Sequence, residues 1–191
     1  MDWDDVYRTV ELDRIPWHTN NPPKALVESV RTVRKGLALD VCCGAGTNAL
    51  FLAKNGFEVR GVDISRRAIA IARSRADKEN LKIEFFVGDV LDLKEKDRYD
   101  FIFDRGCFHH IQNEDKPKFV RRIYRLLSTG GRYQLMAFSD RNHFDKSLTK
   151  EDIKNYFGKY FEIGQIKETV HNEPDGAKVY MYNTVMKKRR L

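Results

Sequence analysis

From Leu37 onward the apolar residues fall in short dense runs, each interrupted by one or two other residues and separated by longer segments in which apolar residues recur every three or four positions. Runs at 37–41, 59–62, 83–87, 99–103 and 133–138 are bounded by turn residues and predict five buried strands. Between them, helices are predicted over 47–54, ended by Asn55-Gly56, and from a Ser65 cap to Lys78. A third covers 115–127 and is stopped by Gly130-Gly131. The Ser65-capped helix carries Ala68, Ile69, Ala72 and Ala76 on one side; the later one carries Phe119, Ile123, Leu126 and Leu127. This alternation predicts one doubly wound α/β domain over 1–191, its mostly parallel sheet covered on both faces. Upstream, Pro22-Pro23 opens a helix to Arg34, whereas 1–23 mixes acids, aromatics and turn formers and is assigned to no element of the sheet. Downstream, Thr149 caps a helix to 157, and strands at 161–170 and 179–186 flank the turn-rich 171–176. That ending predicts an antiparallel hairpin.

The segment 37–65 carries the most chemistry. Its first strand delivers Asp40, breaks into a loop with Gly44 and Gly46, and restarts as a helix; the second strand ends in Asp63. In an open α/β sheet, ligands bind beyond the carboxyl ends of the strands, where loops meet helix N-termini. Gly44-Ala45-Gly46-Thr47-Asn48-Ala49 satisfies the dinucleotide pattern G-x-G-x-x-A, with Asp63 at a plausible distance for a ribose hydroxyl. Asp40 argues for another ligand. A carboxylate at the mouth of that loop repels a pyrophosphate and attracts an ammonium or a sulfonium. The expected cofactor is S-adenosylmethionine.

Composition narrows the setting. The 191 residues suffice for one sizeable core. No apolar run approaches the roughly 20 residues of a membrane span, and the acidic N-terminus is unlike a signal peptide, so a cytoplasmic protein without a membrane partner is expected. Cys42, Cys43 and Cys107 are too few and too poorly spaced for a disulfide framework or a zinc site. The adjacent Cys42 and Cys43, in a strand-to-loop turn, are expected to be reduced and buried, and no metal is expected. A net charge of +7 raises the question of nucleic acid, through Lys118, Arg121, Arg122 and Arg125 at helical spacing and the basic tail at 187–190. Acids interleave with most of the basic residues, so a solvated helix face and a solubilising tail are the simpler reading.

At this point four motifs resemble one family. LDVCCGAG resembles the first motif of the class I S-adenosylmethionine-dependent methyltransferases, with Cys42 where glycine is usual; GVDIS resembles their second-strand acid motif. VGDV resembles the adenine-contact segment, and LLSTGGRYQLMAF the helix-GG-strand segment, with Thr129 where proline is common. The match spans essentially the whole chain. It implies a Rossmann-like, seven-stranded sheet with a C-terminal antiparallel hairpin. DRGCFHHI and IPWHTNNPPKAL further resemble a branch of small methyltransferases related to thiopurine methyltransferase. That branch methylates sulfur, nitrogen or oxygen of small aromatic or heterocyclic compounds.

The resemblance implies roles for single residues. Asp40 would orient the cofactor's amino group, in a loop built with Cys42, Gly44 and Gly46. Asp63 would take the ribose hydroxyls with Ile64 beside it, Asp89 the adenine amine, and the Val90 amide would donate to the ring. Asp104 would sit beside the sulfonium, or else pair with Arg105. His109 or His110 would serve as general base for a phenol or thiol; side by side at a helix start, only one is expected to face the pocket. Trp17 would belong to a lid, 1–23, over a catalytic core at 24–191; the plainer alternative is an N-terminal anchor. Cys107, three residues beyond Asp104, also matches the nucleophile of RNA 5-methylcytosine enzymes, but Gly106 replaces their proline and Ser139-Asp140 stand where a second cysteine is usual. The reaction expected is methyl transfer to S, N or O of a small-molecule acceptor. The alternatives are an RNA or protein methyltransferase using the basic stripe, and a non-catalytic nucleotide-binding partner subunit.

Overall fold

Strands with apolar side chains on both faces need cover on both, and the fold supplies it. The computed structural model describes residues 2–94, 98–172 and 176–190. Strands β1 (Leu37–Val41), β2 (Glu58–Asp63), β3 (Ile83–Val87), β4 (Tyr99–Arg105) and β5 (Leu127–Phe138) run parallel in the order β3-β2-β1-β4-β5. Helices α1 (Trp3–Thr9) and α2 (Lys24–Ser29) precede the sheet; α3 (Thr47–Lys54), α4 (Arg66–Lys78), α5 (Lys116–Leu126) and α6 (Lys150–Phe157) follow in turn. On one face Ala38, Phe101 and Phe103 pack with Leu52, Ile69 and Ala72 of α3 and α4. On the other, Leu39, Ile102 and Tyr133 pack with Phe119, Ile123 and Phe157 of α5 and α6. Because β1 lies between β2 and β4, the chain reverses direction across the sheet at its carboxyl edge, where a crevice opens.

The antiparallel ending is present, with an irregularity. Strands β6 (Phe161–Ile163) and β7 (Lys167–Asn172) both pair with β8 (Lys178–Lys188), which itself pairs with β5. Ile163 faces Met186 and Lys167 faces Asn183, so one extra residue is inserted and the segment expected as one strand bulges. Gly164 sits at the bulge, where a Cβ would meet the Val185 carbonyl at 2.6 Å. The two pieces share one place beside β8, which gives seven strand positions. The predicted connecting turn, 171–176, falls partly at 173–175, outside the described residues.

Other expectations need correction. Residues 3–9 form a helix, capped by Asp2 and docked on α4: Asp4 accepts from Ser65 Oγ at 2.7 Å and from the Arg67 amide at 3.0 Å. A carboxylate at a helix N-terminus is favoured there. The helix expected to Arg34 ends at Ser29 and continues as turns. Gly130-Gly131 does not launch β5 but lies inside it, where pairing with β4 is irregular.

The end of β4 is organised by Asp104, which is completely buried. It accepts from Tyr133 Oη at 2.7 Å and from the Cys107 and Phe108 amides at 2.8 and 3.2 Å, fixing the loop that follows. Burial pushes its carboxyl up to about 7, although these donors pull the other way. The native state therefore holds a proton that the unfolded chain, near 3.9, releases. That contribution is complete below about pH 4 and is lost as pH rises through 7. Relative to Asp104→Asn, the wild type should gain up to about 1.4 kcal/mol of stability per pH unit as pH falls between these values. Denaturant titrations of both proteins at pH 8, 6.5 and 5 check this; parallel trends would refute it.

Candidate active site

The crevice at the carboxyl edge is a cavity of about 430 Å³. The loop after β1 supplies Cys42 and Gly44, β2 ends there with Asp63 and Ile64, and the turn after β3 brings Asp89 and Val90. From the other side of β1, the loop after β4 contributes His109 and His110, and β5 contributes Phe138. Trp17 and Tyr7 of the N-terminal segment close the mouth. Nine of the residues predicted for the site therefore converge, from four strand ends and the N-terminal segment.

The cofactor half is built on backbone geometry. Gly44 holds φ +52°, and a Cβ there would meet Tyr7 Oη at 2.6 Å, so any other residue would displace the Tyr7 ring from the mouth. Cys42 also lies in the left-handed region, at φ 52°, which accounts for glycine being usual at this place. Asp63 accepts from the Gly44 amide at 2.8 Å and the Ser65 amide at 2.9 Å, leaving lone pairs for the cavity. Burial raises its carboxyl, and these amides oppose the rise. Asp89 lines the cavity while capping the turn that follows, accepting from the Leu91 amide at 2.8 Å.

Three predicted residues do not reach the cavity wall. Gly46 faces inward at φ +82°, where a Cβ would press on Ala72, Leu50 and Phe85, so its role is close packing of the loop on α4 and β3. Asp40 is 1% exposed behind the loop; burial, reinforced by Asp63 and Asp104, raises its carboxyl well above the usual range. Its Oδ2 has no hydrogen-bond partner among the described residues. Asp104 neither borders the cavity nor pairs with Arg105, because Tyr133 and two amides consume it. Arg105 instead donates to the Trp17 carbonyl and Thr19 Oγ1, both at 3.3 Å, tying down the N-terminal segment.

The histidines also differ from expectation. Both line the cavity, because at the 3-10 turn Phe108–His110 the two rings tilt against each other with centroids 4.6 Å apart. His109 is 2% exposed and stacks on Phe138, with centroids 3.8 Å apart. Its Nδ1 accepts the Phe138 amide at 3.0 Å, and burial holds its pKa well below the usual value. His110 Nδ1 lies 3.1 Å from Lys146 Nζ; burial, followed by that ammonium, lowers its pKa to about 4. Neither imidazole is set up as a general base near neutrality.

Cys42 and Cys107 are joined by a disulfide, with Cα atoms 5.5 Å apart, and Cys43 alone is a buried free thiol. The expectation of a reduced, buried pair holds for Cys43 and fails for Cys42, because the fold brings two distant loops together. It also removes the 5-methylcytosine reading, which needs Cys107 as a thiolate.

Four residues that the sequence reading passed over line the cavity: Trp3, Tyr7, Arg105 and His171. Thr169 and His171 alternate on the half-buried face of β7, a period-two signal that could have flagged the second. Trp3, Val6, Tyr7 and Val10 fall at helical spacing, a signal that could have flagged the N-terminal aromatic pair. Trp3 packs edge-on to Trp17 at 5.4 Å and to His110 at 4.9 Å.

The residues suit S-adenosylmethionine. Gly44 leaves the loop without a side chain at that point, Asp40 behind it keeps a buried carboxyl oxygen with no partner among the described residues, and Asp63 and Asp89 present acceptors on the cavity wall for hydroxyl and amine donors. Among the described residues, no helix is long and apolar enough to cross a membrane.

Comparison with known proteins agrees. Residues 38–131 match the methyltransferase-domain family. An uncharacterized methyltransferase of Schizosaccharomyces pombe is 35% identical over 105 residues, 54% of this chain and 72% of that protein. Norajmaline N-methyltransferase of Rauvolfia serpentina is 32% identical over 108 residues, 54% of this chain but 36% of the plant enzyme. Among solved structures, one described for conversion of a disulfide bond into a thioacetal group during echinomycin biosynthesis superposes with a TM-score of 0.85 at 25% identity, covering 97% of this chain and 91% of that one. Magnesium protoporphyrin IX methyltransferase of Synechocystis with bound S-adenosylmethionine shares the fold, with a TM-score of 0.76 at 18% identity over 97% of this chain and 95% of its own. The chain belongs to the class I S-adenosylmethionine-dependent methyltransferases, an α/β Rossmann-like family, and S-adenosylmethionine is its cofactor.

Proposed function

We propose that the protein transfers the methyl group to sulfur, nitrogen or oxygen of a small aromatic or heterocyclic acceptor. One observation carries this reading: a single cavity joins an acid-lined end, at Asp63 and Asp89, to an end walled by Phe138, His109, His110 and Trp3. Flat rings pack well on such walls, by offset or edge contacts. The relative named for N-methylation of norajmaline supports a small-molecule acceptor, as does the one described for the echinomycin thioacetal. The narrower likeness to thiopurine methyltransferase rests on the motifs alone.

When bound, S-adenosylmethionine supplies a methyl group on a sulfonium. Asp63 and Asp89 would accept from the ribose hydroxyls and the adenine amine, and the Gly44 loop, with Asp40 buried behind it, would admit the methionyl part. The indole of Trp17, 37% exposed, is available to cover the sulfonium and exclude water. Residues 1–23 act as a lid in this reading, pinned by Asp4 on α4, by Arg105, and by Thr47 Oγ1 donating to the Thr19 carbonyl at 2.8 Å. Displacement is in line, so alignment by these walls supplies much of the rate.

S-adenosylmethionine and S-adenosylhomocysteine should raise the melting temperature, by a stabilisation of about 2.7 kcal/mol at a hundredfold excess over Kd, while NAD leaves it unchanged. A shift with NAD alone would sink the reading. Turnover of a panel of thiols, phenols and heterocyclic amines identifies the acceptor class.

Asp63→Ala should weaken cofactor affinity roughly 10- to 100-fold by calorimetry, since charge-assisted hydrogen bonds are lost, and leave the circular dichroism spectrum native. Equal Kd values would reduce Asp63 to a brace for the Gly44 and Ser65 amides.

For the lid, hydrogen exchange at 12–20 should slow when S-adenosylhomocysteine is added. Protection that is the same with and without it would leave a static anchor.

A further inference from the structure

His109 is the most constrained side chain at the acceptor end. Its Nδ1 lone pair is taken by the Phe138 amide at 3.0 Å, so the neutral ring must carry its hydrogen on Nε2. Phe138 covers one face at 3.8 Å with planes 14° apart, which stops the ring from turning. The Cε1–Nε2 edge lies 3.8 Å from the place a Cβ on Gly106 would occupy, and Gly106 and Cys107 both border the cavity. The hydrogen bond of the ring is the one at Nδ1, and the ring lines the cavity, so Nε2 is left for what enters there. The charged and titratable groups acting on this imidazole are His110 on its own turn, Lys146 from the loop after β5 and Lys116 from α5; all three disfavour a second proton.

We infer that His109 is not a base but a fixed hydrogen-bond donor, whose Nε2–H selects acceptors presenting a lone pair or negative charge at this edge and rejects those presenting N–H or ammonium. The inference rests on the proposed methyl transfer to a small acceptor. It deepens that reading by assigning the polarity of the acceptor's contact. A thiol or phenol acceptor loses its proton to solvent and binds as the anion; its bond to the methyl carbon forms as the sulfonium–methyl bond breaks, S-adenosylhomocysteine leaves, and His109 positions the acceptor against the loop after β4.

Two amide substitutions separate the roles, because asparagine places a polar atom where Nδ1 stood and glutamine places one where Nε2 stood. Thiophenol, 1-naphthol and 8-hydroxyquinoline serve as methyl acceptors. His109→Gln, which keeps a donor toward the cavity, should stay within about fivefold of the wild-type kcat/KM. His109→Asn, which keeps only the contact to Phe138, should lose about 10- to 100-fold, mainly in KM, with the S-adenosylhomocysteine Kd unchanged. The reverse order, active asparagine and inactive glutamine, makes His109 a structural brace and overturns the inference. Equal large losses, with a wild-type kcat/KM limb at an imidazole pKa, make it a base and overturn it as well.

A second measurement needs neither turnover nor a variant. Nitrogen-15 NMR of the wild type with S-adenosylhomocysteine should show the His109 ring as the Nε2–H tautomer, unchanged from pH 5.5 to 8. An Nδ1–H tautomer, or titration between 6 and 7, rejects the donor whatever the acceptor. Absence of methyl transfer to every compound alongside the expected tautomer would instead count against the proposed function.

Discussion

The whole acceptor side hangs on one buried carboxylate. Asp104 has no solvent contact and spends its oxygens on the Tyr133 hydroxyl and on two consecutive loop amides. Those bonds join β4 to β5 and set the first residues of the turn that carries the histidines. A buried group held by several donors is costly to leave half satisfied, so the loop has one arrangement rather than many. Catalytic geometry here depends on a residue that touches no ligand.

A second constraint comes from outside the sheet. The α1 helix is short and buries none of its residues, so it cannot be held by a core of its own. It is held by Asp4 at the start of α4, and its aromatic side chains then lean over the crevice. Trp17 donates to Tyr7 Oη at 3.3 Å, linking the helix to the segment that Arg105 secures. The mouth is thus closed by polar ties of modest strength, an arrangement suited to opening.

Much of this was legible in the sequence because it rests on local pattern. Strand runs, Gly44, Asp63 and Asp89 follow from alternation, from the left-handed turn, and from the rule that ligands gather at strand ends. Failures cluster where partners are remote in sequence. Asp104 looked like a ligand because its position was right, while its partner Tyr133 lay 29 residues away. His109 looked like a base because the residue type was right; the Phe138 amide that fixes its tautomer comes from a different strand. Gly164 and the bulge gave no apolar signal. The α1 helix carries Trp3, Val6, Tyr7 and Val10 at helical spacing, but two turns of pattern do not say what they pack on, here an aromatic contact over a cavity rather than a core face.

The bond between Cys42 and Cys107 spans 65 residues, a stretch holding α3, β2, α4, β3 and β4. Closing a loop of that length removes chain entropy from the unfolded ensemble, worth roughly 4 kcal/mol in the chain-entropy model. The same bond ties the loop that receives the cofactor to the turn that faces the acceptor, so the two halves of the cavity cannot drift apart independently. Thiol chemistry therefore enters the folding equilibrium of a methyltransferase whose reaction has no redox step. A surrounding dithiol pool would set how firmly the two loops are held, and with them the width of the crevice.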